Sequence, residues 1–338
     1  MSGLSAKPDF RISVAPMVDW TDTWFRRFAR LLTKRAYLYT EMITAPAIIH
    51  GDPERILGFD SCENPLVLQI ASDSPREAAR AVRLAESRPY AEINLNIGCP
   101  SDKVQKARFG ACLMAEPELV RDILIAMKDA TAKPVTVKHR IGIDSLGAYE
   151  DLHSFVGIVS EAGPARLIVH SRIAILDGLD PKENRTVPPL RHEDVHRLKR
   201  DFPNCVIEIN GGIRDIRGIR DHAAVMDGVM IGREAYENPV SMAAYDRVLG
   251  YKDSDRIETY RQLLNEIGSL DTSLRDRGIP PWRLYRHLSG LIRNMRGAKE
   301  WRRFLNAKAL KDPDTAPGIA DIMELLPCET LESPLCPD

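Results

Sequence analysis

Residues 91–102 read AEINLNIGCPSD. A β-favouring run from Ala91 delivers two asparagines, Asn94 and Asn96, and stops at the corner Gly98-Cys99-Pro100. The corner sets one thiol at the end of a buried strand, with polar amides beside it. Catalytic groups in parallel α/β proteins sit at such strand ends. The rest of the chain repeats the pattern.

Short β-rich runs recur at Ile12–Met17, Ala36–Met42, Leu66–Ile70, Ala91–Leu95, Pro134–Lys138, Arg166–His170, Cys205–Ile209 and Asp227–Ile231. Helical patterns lie between them. Ser74-Pro75 ahead of Arg76–Glu86 supplies a cap and a first-turn proline. Pro117–Ala130 sets Leu119, Ile123, Ala126 and Met127 on one face. Tyr149–Ala162 behaves similarly and stops at Gly163-Pro164. Eight strands alternating with helices predict an α/β fold, a (β/α)8 TIM barrel over residues 1–243. An open doubly wound sheet is the runner-up, but no G-x-G-x-x-G fingerprint follows the first strand. Beyond Ala243 the strand signal disappears, and Leu284, Leu288, Leu291 and Met295 recur at helical spacing. Residues 244–338 are therefore expected to form an all-helical C-terminal domain.

The 338 residues suit one large α/β domain with a smaller partner. Hydrophobic content of 44% and charged content of 28% are ordinary for a globular enzyme. No apolar run approaches the roughly 18 residues of a membrane helix, and Met1–Pro8 lacks the apolar core of a signal peptide. Cys62, Cys99, Cys112, Cys205, Cys328 and Cys336 show no paired spacing, which predicts reduced thiols, a cytoplasmic location and no metal site. The net charge of -1 is unevenly spread. Nine basic residues between Arg275 and Arg303 meet only Asp276 and Glu300, so that segment carries +7 and the remainder -8. A face that binds a polyanion such as nucleic acid is the expectation, with a solvated arginine-rich helix as the alternative.

The predicted strand ends form a set: Ala15-Pro16-Met17, Leu68-Gln69, Asn94 and Asn96 with Cys99, Val137-Lys138, Val169-His170, Asn210-Gly211-Gly212 and Ile231-Gly232-Arg233. In a barrel all of them converge on one face. Gly211-Gly212 and Gly232-Arg233 follow the last two strands, where barrels commonly hold a phosphate with backbone N–H groups. Lys138 suits either a Schiff base, as in barrel aldolases, or a cation beside an anionic ring, and His170 would serve both. Cys99 suits a nucleophile, an acid or a buried spacer. An ordinary thiol, with a pKa of about 8.5, keeps its proton at neutral pH and can donate it. Cys112 reads as a small core residue.

The stretches APMVDWTD (15–22), LYTEMIT (38–44), NPLVLQIA (64–71), EINLNIGCPSDKVQ (92–105) and FGACLM (109–114) closely resemble the tRNA-dihydrouridine synthases, particularly their bacterial A subgroup. So do PVTVKHRIGID (134–144), PKENRTVPPL (181–190), INGGI (209–213), DGVMIGREAYENP (227–239) and GIPPWRLYRH (278–287). Ala71-Ser72 stands where the family usually has glycines.

The resemblance implies an FMN-dependent, NADPH-driven reductase of tRNA uridine, usually monomeric. By its motifs FMN would be held by Pro16, Met17, Val18, Gln69, Lys138, His170, Asn210, Gly211, Gly212, Gly232 and Arg233. Cys99 would be the general acid, protonating C5 while C6 receives hydride. Asn96 would hold the uracil edge, and the base must leave its stack to reach the site. Lys182, Arg185, Lys299 and Arg302 would contact tRNA. Uridines 20 and 20a of the D-loop are the targets implied. A sugar-phosphate aldolase and a non-catalytic RNA-binding protein are the competing readings.

Overall fold

A computed structural model describes residues 10–101, 104, 108–251, 256–312 and 314–335. Met1–Pro8 and Cys336 lie outside the described residues. The chain divides into two compact units, one made of residues 10–18 and 37–232, the other of 19–36 and 233–335. The expected boundary at residue 243 falls inside the second unit.

Among its described residues the first unit carries nine strands: β1 (Arg11–Val14), β2 (Leu38–Tyr39), β3 (Ile43–Thr44), β4 (Leu66–Ala71), β5 (Glu92–Ile97), β6 (Val135–Arg140), β7 (Arg166–His170), β8 (Ile207–Asn210) and β9 (Gly228–Ile231). Every pairing is parallel, in the order β1-β9-β8-β7-β6-β5-β4-β2, and β3 also pairs with β4. β2 and β3 are thus two halves of one stave. The sheet returns on itself where Val14 N donates to the Tyr37 carbonyl (2.8 Å) and Tyr37 N to that of Ile12 (3.0 Å). The architecture is a (β/α)8 barrel.

Strand alternation decides what fills it. Ala15, Tyr39, Val67, Ile168 and Met230 pack together although they come from separate staves. Residues from opposite sides of the ring can meet only inside it. Gln69, two residues beyond Val67, shares that inward face, because side chains alternate with a period of two. Asn94 and Asn96 share a face likewise, while Ile93, Leu95 and Ile97 take the other. Both faces are covered, so every residue of β4 and β5 is buried. The interior also holds two ionic pairs, Arg11 with Glu92 at 2.6 Å and Arg166 with Glu208 at 3.8 Å. No spacing in the sequence announces these pairs.

The helices form near their expected bounds. Pro75–Ala85 is capped by Ser74, whose hydroxyl accepts from Glu77 N at 3.3 Å. In Pro117–Lys128 the buried row is Val120, Ile123, Leu124 and Met127. The expected stripe through Leu119 and Ala126 is only half-buried, so the core-facing side is turned slightly from the predicted one. Tyr149–Ser160 ends ahead of Gly163, whose φ of 57° is readily open to glycine.

The second unit is helical in its described part, with Tyr260–Arg275 and Ala298–Leu305 as its longer C-terminal helices. Leu284, Leu288 and Leu291 are buried as their spacing predicts. They do not lie on one continuous helix, because Trp282–Tyr285 gives way to turns in which Leu288 N bonds Tyr285 and Leu291 N bonds Leu288. Gly290 lies where a Cβ would fall 2.2 Å from the Glu237 carbonyl oxygen, so the chain there follows packing rather than propensity. Among the described residues no helix is long and apolar enough to cross a membrane.

Candidate active site at the barrel mouth

Cys99 is presented by a continuous chain of side-chain amides. Asn94 Nδ2 donates to Thr136 Oγ1 (2.9 Å) and Gln69 Nε2 to Asn94 Oδ1 (2.8 Å). Asn96 Nδ2 donates to Gln69 Oε1 (2.8 Å), and Asn96 Oδ1 accepts from the backbone N–H of both Gly98 and Cys99, each at 3.1 Å. The order β4-β5-β6 makes this possible, because Gln69 is the register partner of Asn94 and Asn96 of Lys138. An amide nitrogen carries two hydrogens, so Gln69 and Asn96 each keep one N–H for a ligand. The corner itself is tightly backed. Gly110 has φ 72°, and a Cβ there would come 2.5 Å from the Cys99 carbonyl oxygen. The thiol side of Cys99 packs on Ala71, Val104 and Phe109, with Ser101 Oγ 3.5 Å from Sγ.

Two cations stand over this corner. Lys138 keeps part of its surface at the mouth, yet burial, reinforced by Arg140, lowers its pKa to about 8, and Cys99 and Glu208 act to raise it. At neutral pH most of it is therefore charged. Arg140 was not singled out in the sequence. Two residues along β6 from Lys138, it shares that strand face. Its Nε donates to the Gly98 carbonyl (3.0 Å), and its Nη1 to those of Ile173 (2.9 Å) and Asn184 (3.2 Å). One buried guanidinium thus ties the cysteine corner to the loop that carries Lys182 and Arg185. Burial, with Arg172 and Arg185 nearby, brings its pKa down to about 10. The intervening His139 faces the other way, against Phe155, and burial depresses it to about 4. It belongs to the core.

His170 ends β7 in register with Asn210 at the end of β8. Asn210 is buried, and its Nδ2 donates to the Met230 carbonyl (2.7 Å). Gly211 and Gly212 follow with φ of 115° and 75°. A Cβ on Gly211 would lie 3.5 Å from Cε1 and Nε2 of His170, and one on Gly212 would lie 2.4 Å from Leu190. Only glycines fit this turn. The next helix, Ile216–Ala223, is not the anion-ready element, because Asp215 already caps it through Gly218 N (2.7 Å). Gly232 lies beyond β9, its Cβ position 3.7 Å from Ala15 and 3.9 Å from Met17 Sδ. Pro16 and Met17 are half-buried and Val18 is exposed.

One rim therefore gathers the expected residues from Pro16 to Gly232. Arg233 opens the helix Arg233–Glu237 in the second unit. Lys182 is exposed and Arg185 half-buried beside Arg140's carbonyl partners. Lys299 and Arg302 are exposed on Ala298–Leu305, whose other side buries Trp301, with Nε1 donating to the Leu288 carbonyl (3.0 Å). Three of the nine basic residues in that segment serve the fold: Arg275 pairs with Asp271, Arg286 with Asp22 and Arg296 with Glu329. The other six, Arg277, Arg283, Arg293, Lys299, Arg302 and Arg303, are exposed. Among the described residues no cluster of three His, Cys, Asp or Glu could hold a metal ion.

The family model described as dihydrouridine synthase matches residues 13–320. The chain belongs to the dihydrouridine synthase family. It is 50% identical over 302 residues to a tRNA-dihydrouridine(20/20a) synthase of Synechocystis sp., covering 88% of this chain and 89% of that relative. It is 45% identical over 320 residues to the protein of the same description in Pseudomonas putida, covering 95% of each, and 46% identical over 316 residues to that of Pseudomonas aeruginosa, covering 94% and 95%. Membership in the dihydrouridine synthases removes the aldolase reading of Lys138.

Proposed function

We propose that this chain reduces the C5–C6 double bond of uridine in tRNA to 5,6-dihydrouridine, at positions 20 and 20a of the D-loop. FMN is the resident cofactor and NADPH the reductant. The observation that carries the reading is the amide chain from Thr136 to the Cys99 amide, which fixes one thiol beside Lys138 on a polar rim.

The residues present fit FMN: a glycine turn that a Cβ would fill, a lysine that is mostly charged at neutral pH, and amides with donors to spare. Pro16, Met17, Val18, Gln69, Lys138, His170, Asn210, Gly211, Gly212, Gly232 and Arg233 would hold it. When bound and reduced, FMN supplies the hydride that uracil C6 receives. Cys99 delivers the proton to C5, which completes the two-electron reduction, and the thiolate regains its proton from solvent, with Ser101 Oγ alongside as a relay. Asn96 offers its remaining N–H to a uracil carbonyl. Lys138 and His170 stabilise negative charge on the carbonyls as C6 is attacked. Lys182, Arg185, Lys299 and Arg302 bind the tRNA backbone. Residues 1–243 act as the catalytic part and 244–338 as the tRNA-binding part of a cytoplasmic monomer.

The test is mass spectrometry of tRNA from a strain lacking the protein, complemented with wild type or Cys99→Ala. Dihydrouridine at 20 and 20a should vanish, return with wild type and stay absent with Cys99→Ala, although the purified variant still binds flavin and tRNA. Undiminished dihydrouridine in the deletion strain would refute the function, and full rescue by Cys99→Ala would refute the acid.

A further inference from the structure

Gly211 and Gly212 both sit at positive φ, and two consecutive glycines have the widest backbone freedom a chain offers. Their shape is imposed from outside, by residues 190–192. We infer that His192 is a positioning residue for the flavin phosphate, which fixes the peptide plane between the two glycines and so aims the Gly212 N–H. The inference rests on the flavin reading above.

His192 Nε2 lies 2.7 Å from the Gly211 carbonyl oxygen. A carbonyl can only accept, so Nε2 carries the proton, in the neutral ring and in the cation alike. In a planar trans peptide the N–H points opposite the C=O. Anchoring the Gly211 oxygen therefore turns the Gly212 amide away from His192, in one fixed direction. Leu190 closes on the bare Cα positions, its methyls 3.1 Å and 2.4 Å from where Cβ atoms of Gly211 and Gly212 would be.

The support is itself tied down. Arg191 N donates to the Ser171 carbonyl (2.8 Å), and its guanidinium to that of Gly147 (2.6 Å). Ser171 in turn donates from N (2.8 Å) and Oγ (3.1 Å) to the Asn210 carbonyl, so the turn and its clamp share one strand end. Behind His192 stands the ring of His222, 4.9 Å away and nearly perpendicular. His222 Nδ1 lies 3.0 Å from His196 Nε2, within hydrogen-bonding distance. Burial, with the neighbouring imidazoles, holds His222 down at about 4, so a neutral ring backs His192. The competing donor, the end of helix Ile216–Ala223, is already occupied by Asp215.

The test titrates FMN-free full-length protein with FMN and, separately, with riboflavin, which lacks the phosphate, following flavin fluorescence. His192→Phe should weaken FMN about ten- to hundred-fold, the range of one lost hydrogen bond to a binding group. Riboflavin should change less than about three-fold. His192→Gln, whose amide can still donate, should restore FMN binding to within about three-fold. FMN binding unchanged in His192→Phe, equal losses for both ligands, or no rescue by Gln would each overturn the inference. If His192→Phe does not fold, His192→Asn, whose shorter amide cannot span to the carbonyl, decides by the same FMN-to-riboflavin ratio. A wild-type protein that binds neither flavin overturns the cofactor reading itself.

Discussion

Replacing Arg140 by Met should damage the chemistry far more than the fold, and the balance can be worked from its contacts. The guanidinium donates to the carbonyls of Gly98, Ile173 and Asn184. Hydrogen bonds to a charged group contribute about 1.5–3 kcal/mol each, roughly 4.5–9 kcal/mol for three. Against this, burial beside Arg172 and Arg185 lowers the pKa to about 10. That corresponds to about 3 kcal/mol against the charged form, which methionine would not incur. Nη1 carries two hydrogens, one for each of its acceptors. The net loss should therefore be about 1–6 kcal/mol, measurable as a lower midpoint in guanidinium unfolding with an unchanged slope. Once Gly98 is released, Cys99 loses its fixed approach, and a misplacement of about 1 Å costs about a hundred-fold in rate. Single-turnover reduction of unmodified tRNA should show that loss. Arg140→Lys should recover little of it, because one ammonium cannot reach three divergent carbonyls. A variant as stable as wild type and as fast in single turnover would refute the reasoning, as would full rescue by lysine.

Three further outcomes follow from other parts of the molecule. Lys138 has a folded pKa of about 8, below its unfolded value, so its burial cost is fully present below that pH. The cost is relieved as pH rises toward about 10.4, so stability of the flavin-free protein should gain from this residue across that window, and Lys138→Met should flatten the rise in denaturation midpoints measured from pH 7.5 to 10.5. Arg302→Ala should weaken tRNA binding and reduce the slope of log affinity against log salt by about one, read by filter binding at several salt concentrations, and an unchanged slope would show that Arg302 touches no phosphate. Trp301 is fully buried and hydrogen-bonded. Its replacement by Ala should cost about 3–5 kcal/mol in thermal unfolding of the full chain, and a loss below about 1 kcal/mol would mean the helical unit does not depend on this anchor.

The sequence by itself determined the periodicity and the rim. Runs such as LVLQIA and EINLNI read as strands, and their spacing by helices leads to a barrel. Gln69, Asn96, Cys99, Lys138, His170 and Gly211-Gly212 were legible because each ends a run whose length is fixed by the strand. Arg140 was missed although its alternation with Lys138 was a usable signal, since two cations two residues apart must share one strand face. Only the tertiary structure decided the rest. The inward pairs Arg11–Glu92 and Arg166–Glu208 join residues on different strands, and Asp22, Asp271 and Glu329 pair with three of the arginines that charge counting assigned to a polyanion. His192 became meaningful only through its 2.7 Å approach to Gly211. Local patterns report which face a residue takes, because backbone geometry repeats every two or 3.6 residues. Which partner waits on that face depends on ring closure and packing, and no local repeat encodes it.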